Sequence, residues 1–378
     1  MKKKKILFTT FDLNIGGIEK CLVNLVNNLD KNKYDITIYL QVKEGDYLKN
    51  INDNVKVLGY NLSYIKGKKI NNKLVKIIVN LFKFIKILIT NYHKYDVSIY
   101  YGTGYVPSSI LSLTSSKYSI GWMHTNILTY MENYIPYKNQ NITTEQKAKK
   151  FINKIFFRKY KKNIFVSNDA LCAYLKVYPQ DKEKSEYIYN LIDYKDIINK
   201  TKEKISEKHT KYTFLNVGRQ TEFDKRLTRI INATKKLVDE GYDFKVLLVG
   251  EGKDTNYYKD LVKDNKLTKY IEFLGKKNNP YPYFKISDVF ILSSEFEGLP
   301  TTLLESLTLN LPIITTNVSD SKTLIDKKYG IVVDKSDKGI YLGMKEYLDN
   351  KIIINDSFNS KKYNENIISK LERVINND

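Results

Sequence analysis

Short apolar runs alternate along this chain with longer stretches whose apolar residues recur at helical spacing, and the whole alternation occurs twice. KKILFTT reads as a strand, FDLNIGG as a loop, and IEKCLVNLVNNL as a helix with Leu22, Leu25, Val26 and Leu29 on one face. YDITIYLQV, YDVSIYYG, KYSIGWMH and KNIFVSN read as further strands. A polar, strand-poor stretch runs from about Asn190 to Lys211, after which the pattern restarts. YTFLNVGR, FKVLLVGEG, YIEFLG, DVFILSS, LPIITTN and GIVV read as strands. LTRIINATKKLVDEG, ended by Gly241, and TTLLESLTLN read as helices among them. Strands apolar on both faces and separated by helices predict parallel sheets covered on each side, so the fold class is α/β. The restart predicts two such doubly wound domains facing a cleft. Their expected bounds are 1–190 and 191–360, with a C-terminal helix at about 360–378 packing back on the first.

Composition narrows the class. With 378 residues, 42% hydrophobic and 28% charged, the chain suits two cores of ordinary size. Cys21 and Cys172 have no metal or redox spacing and read as buried thiols in a reducing compartment. The start MKKKKILFTTFDLN has too short an apolar core for a signal peptide, and no apolar run is long enough to span a bilayer. A cytoplasmic location is expected.

Charge changes the picture more. Roughly +17 of the formal net +21 is reached by Lys200. No acid occurs between Asp53 and Asp96, an interval that holds Lys73, Lys76, Lys83 and other lysines. Within it, NKLVKIIVNLFKFIKILIT places Lys73, Lys76, Asn80 and Lys83 on one helical side with a wider apolar remainder. Such a helix can lie in a membrane interface, its lysines on anionic lipid and its apolar face in the headgroup boundary; equally, it can be a core helix packed on a sheet with its lysines in water. Nucleic acid is the weaker partner, because arginine is scarce and no recognition module is present.

In a parallel sheet ligands bind beyond the carboxyl ends of the strands, which directs attention to the loops there. Gly16 and Gly17, between the first strand and helix, would let a ligand approach backbone amides, or form a plain turn. Arg219 and Lys225 follow the strand FLNV, where fixed cations suit a diphosphate or make an ordinary surface cluster. His124 stands at a strand end, as a catalytic or a structural histidine. In SSEFEGLPTTLLES a helix starts at Pro300 and Thr301, and its free amides form an anion seat. Glu297 before that helix and Glu305 inside it are wrong for phosphate but right for sugar hydroxyls. Read blandly, they are a loop acid and a solvated helix acid.

Together these residues resemble a known family. EGLPTTLLE, with glutamates separated by seven residues after a strand ending in serines, resembles the signature of family 4 retaining glycosyltransferases, which have the GT-B fold. GGIEKCLVNL, IGWMHTN, FVSNDA, YNLID, NVGRQTEFDKR, LLVGEG and LPIITTN are similar to family segments in the same order. The resemblance, which extends to bacterial capsule and exopolysaccharide enzymes, implies a nucleotide-sugar donor, UDP being the expected nucleotide. It implies donor contacts from Arg219, Lys225, Gly298, Leu299, Thr301 and Thr302 at the diphosphate, and from Glu305 at the ribose. Glu297 and His124 would meet the transferred sugar, and Gly16 and Gly17 would give it room. It also implies no cofactor and no metal, and an acceptor such as a glycan on polyprenyl diphosphate, placing the protein peripherally on the inner face of the membrane. Pro300, Asn310 and VSDSKTLI depart from the family pattern without touching either glutamate. The competing readings are an epimerase or inverting transferase on the same fold, and a non-catalytic basic protein bound to membrane.

Overall fold

The computed structural model describes residues 2–377 apart from 60–63, 66–67, 70–72, 103–104, 125–155, 208–211, 326, 351 and 353–355; for 64–65, 68–69 and 73–77 only the backbone is described. The chain divides into two compact units, one of Met1–Leu191 with Asn366–Asp378 and one of Ile192–Glu365.

The first unit contains β1 (Lys4–Thr10), β2 (Tyr34–Leu40), β3 (Lys56–Gly59), β4 (Tyr64–Ile65), β5 (Lys68–Lys69), β6 (Val97–Tyr101), β7 (Tyr118–Met123), β8 (Lys162–Phe165) and β9 (Ser185–Tyr187). Seven of them form one sheet in the order β3-β2-β1-β6-β7-β8-β9, and β4 pairs with β5 alone. Every pairing in the large sheet is parallel. Its central strands are buried along nearly their whole length, as the unbroken apolar runs require. The edge strands β3 and β9 were not foreseen from sequence, because they are short and half exposed and so carry no apolar run.

The second unit contains β10 (Thr213–Val217), β11 (Lys245–Val249), β12 (Ile271–Gly275), β13 (Val289–Leu292), β14 (Ile313–Thr316) and β15 (Gly330–Val333), in the order β12-β11-β10-β13-β14-β15. Its core joins Phe214, Val246, Leu248, Val289 and Ile291 of the sheet to Ile230, Ile231 and Leu237 of the helix Leu227–Asp239. The polar stretch after Asn190 holds the helix Tyr194–Lys200, started by the Asp193 carboxylate, which accepts the Asp196 amide at 3.0 Å. The last helix, Ser360–Asn376, returns its final residues to the first unit. There the Lys4 ammonium donates to the Ile375 carbonyl at 2.9 Å, Lys33 pairs with Glu372 at 3.0 Å, and Arg373 pairs with Glu186 at 2.8 Å.

Two expectations change. Cys21 is buried but Cys172 is exposed: on the helix Asn168–Val177 the inward face is Ala170, Leu171 and Tyr174, and Cys172 lies off it. The helix Lys73–Asn91 forms, but it is not the core helix of the second reading, because its wider apolar face is turned outward. Ile87 and Leu88 pack against Leu7, Tyr39, Tyr95 and Leu111, while Ile78, Leu81, Phe82, Ile85 and Ile89 face outward. Lys83 is half-buried, and the side chains of Lys73 and Lys76 lie outside the described residues. No helix among the described residues is long and apolar enough to cross a membrane.

Candidate functional site

In each sheet the strand order reverses once, and loops that diverge at such a point leave a crevice at the strands' carboxyl ends. The reversals fall between β1 and β6 and between β10 and β13. The residues singled out from sequence follow these strands or a neighbour of them.

In the second unit the loops after β10 and β13 are tied to each other. Lys225 forms an ion pair with Glu297, both side chains being mostly buried. The Ser294 hydroxyl donates to the same Glu297 oxygen at 2.7 Å. The Glu295 amide donates to the Asp224 carbonyl at 2.8 Å, and the Ser293 hydroxyl donates to the Lys225 carbonyl at 2.8 Å. Beneath them lies Arg229, a residue sequence reasoning missed. Its buried guanidinium donates to the Ser293 carbonyl at 2.9 Å and the Ser294 carbonyl at 3.4 Å, and pairs with Glu295. The one signal available was a cation inside the apolar pattern of LTRIINA.

Arg219 differs from Lys225. It is exposed and has no ion-pair partner among the described residues. Of the two cations singled out on this loop, Arg219 is thus without an ion pair among the described residues and Lys225 is held by Glu297. The helix Thr301–Thr308 begins at Pro300 with no side-chain cap, leaving the positive end of the helix beside this loop. Gly298 precedes it, its carbonyl accepting from the Ser319 hydroxyl, and Leu299 is buried. Glu305, one turn into the helix, is 5% exposed, which removes the reading of a solvated helix acid.

In the first unit Gly16 caps the helix Gly17–Asn28 without a side-chain hydrogen bond. A Cβ on Gly16 would lie 2.1 Å from a Glu19 carboxylate oxygen, whereas one on Gly17 would meet nothing within 4 Å. The Glu19 side chain therefore folds back over Gly16, and Gly17 leaves open space. His124, just past β7, is 6% exposed, its ring 4.1 Å from Tyr101 and 6.2 Å from Trp122. Its Nε2 is buried with no hydrogen-bond partner among the described residues. Burial pushes the imidazole pKa from 6.5 down to about 3, so the ring is neutral at physiological pH. Tyr101 ties this histidine to the glycine loop: burial first, then the charges of Cys21 and Glu19, raise the pKa of its hydroxyl.

Residues 197–367 match the glycosyl transferases group 1 family. The capsular polysaccharide biosynthesis glycosyltransferase CapH of Staphylococcus aureus is 26% identical over 84% of this chain and 82% of its own length. The N-acetylgalactosamine-N,N'-diacetylbacillosaminyl-diphospho-undecaprenol 4-alpha-N-acetylgalactosaminyltransferase of Campylobacter jejuni is 31% identical over 44% of this chain and 45% of its own. The chain spans less than half the length of the first curated relatives it matches. Among solved structures, HepE of Anabaena in complex with UDP and glucose matches with a TM-score of 0.68, 15% identity, and coverage of 98% of this chain and 99% of that one. At that identity the match establishes the shared fold.

Proposed function

We propose that this chain, a GT-B glycosyltransferase similar to bacterial capsule enzymes, moves a sugar from a UDP-sugar to a glycan or lipid-linked acceptor with retention at the anomeric carbon. The observation that carries this reading is the bridge between the two loops at the second sheet's reversal, where Lys225 is held by Glu297 and Glu297 by Ser294.

A diphosphate arriving beside Arg219 competes with Glu297 for the Lys225 ammonium. Once Lys225 turns to phosphate, the freed Glu297 oxygen accepts a sugar hydroxyl, while Ser294 keeps the carboxylate in place. The amides of Gly298, Leu299, Thr301 and Thr302 add donors for phosphate oxygens, and Glu305 takes the ribose hydroxyls. The neutral His124, whose Nε2 has no partner among the described residues, can hydrogen-bond a sugar hydroxyl, and Gly17 leaves open space at the start of its helix. As the bond from sugar to phosphate breaks, Arg219 and Lys225 offset the charge growing on the diphosphate. The acceptor hydroxyl attacks the same face, and its proton passes to the departing phosphate oxygen. This assignment asks nothing of a metal ion, so transfer should survive EDTA.

HepE's complex with UDP and glucose supports the donor class. The diphospho-undecaprenol named for the Campylobacter relative supports a lipid-linked acceptor and a peripheral place at the inner membrane face. The test is a panel of nucleotide sugars screened by thermal shift, because a ligand that binds the native state raises the melting temperature. The donor so found is then assayed with Lys225→Ala and Glu297→Ala. Each should lower transfer at least about a hundredfold with folding intact. Full activity in both variants would remove this assignment.

A further inference from the structure

The helix Lys73–Asn91 turns the wrong face to water for a core helix. Ile78, Leu81, Phe82, Ile85 and Ile89 fall within about 100° of its circumference, and all are exposed, Phe82 at 69% and Ile89 at 71%. Tyr92, just beyond the helix end, is exposed as well. The opposite side is already committed, with Ile87 and Leu88 on the sheet and the Asn91 amide donating to the Ile87 carbonyl at 2.8 Å. The outward stripe is therefore not an inward face awaiting a rotation. Contiguous exposed apolar surface of this kind marks an interaction site.

Charge selects the occupant. The exposed Lys86 flanks the stripe, Lys94 is exposed beyond it, and no acid occurs between Asp53 and Asp96. Two copies of this face would bring lysines against lysines on a chain of net charge +21. An anionic bilayer instead offers phosphates to the lysines and an acyl boundary to the stripe.

We propose that this face docks on an anionic lipid bilayer, the helix lying in the interface plane with Ile78, Leu81, Phe82, Ile85 and Ile89 below the headgroups and Lys86 at the phosphates. The proposal rests on the lipid-linked acceptor reading for its role, but docking is measured without donor or acceptor, so the two can fail separately.

The experiment is co-sedimentation of the full chain with vesicles of phosphatidylcholine alone or mixed with phosphatidylglycerol. The wild type should bind the mixed vesicles and keep part of that binding in high salt, since the apolar contribution is not screened. Phe82→Ser/Ile89→Ser should weaken partitioning about tenfold or more while leaving the melting temperature and UDP binding unchanged. Lys86→Gln should weaken binding to mixed vesicles only. In the Phe82→Trp variant the added emission should shift to the blue on vesicles and be quenched by brominated acyl chains, against the background of the buried Trp122. Unchanged partitioning of the double variant, or emission without shift or quenching, overturns the proposal. So does a concentration-dependent dimer of the wild type that the double variant dissociates while vesicle binding persists, which would make the stripe a contact between copies.

Discussion

Single residues carry two tests that do not depend on assaying transfer. His124 is held neutral by burial with a pKa of about 3, against 6.5 for an ordinary histidine. Because the folded value is depressed, the unfolded chain takes up the proton first. Stability is unaffected by this group above about pH 6.5 and falls as pH drops from there towards 3, at up to about 1.4 kcal/mol per unit. His124→Phe keeps a ring between Tyr101 and Trp122 but cannot titrate. Denaturant unfolding between pH 7 and 4 should show a shallower loss in the variant, and an identical slope would contradict the assignment. Arg229→Met should cost about 3 kcal/mol in urea unfolding, since Glu295 and two carbonyls lose a buried donor. Arg229→Lys should recover only part of this, a lysine lacking the planar fork. These residues were unequally legible. Glu297 and Lys225 drew attention because they stand at strand ends. Arg229 did not, because two of its partners are backbone carbonyls, which carry no mark in a sequence. Nor could the pairing of Lys225 with Glu297 be read, since charge type assigned one to phosphate and the other to hydroxyls without bringing them into contact.

At the scale of elements, apolar runs were the most legible feature, and turns between them the least. The strand KVLLV and the helix LTRIINATKKLVD could be seen directly, but the packing of the loops after β10 and β11 could not. Gly250 has φ +129°, and a Cβ there would lie 1.9 Å from the Gly218 carbonyl oxygen. Gly241, with φ +88°, ends its helix in open space. Gly250→Ala should therefore cost more than about 2 kcal/mol, against about 1 kcal/mol for Gly241→Ala. Equal costs in thermal unfolding would show that the two loops do not pack closely. The helix Lys73–Asn91 teaches a further limit. Its amphipathic period was plain, but period alone does not say which face meets the sheet; the partners on the sheet decide that, and they turned the wider apolar face outward.

At the scale of the whole molecule, the restart of the strand pattern after Lys211 was legible as two parallel-sheet domains, because each buries its central strands on both faces. The return of the last helix rests on scattered residues far apart in sequence. Ile367, Leu371, Val374 and Ile375 are buried there, alongside the ion pairs of Glu372 and Arg373. Leu371→Ala should cost about 2 to 5 kcal/mol, and in hydrogen exchange the loss of protection should fall on the first unit. Within the second unit, the proposed donor site centres on the bridge of Lys225 and Glu297. Calorimetric titration of the wild type and three variants with UDP and with the UDP-sugar found in the panel tests that bridge most directly. The account predicts that Arg219→Ala and Lys225→Ala each weaken UDP about tenfold or more, while Glu297→Ala leaves UDP as tight or tighter and weakens only the UDP-sugar. UDP affinity unchanged by the loss of either cation would contradict it.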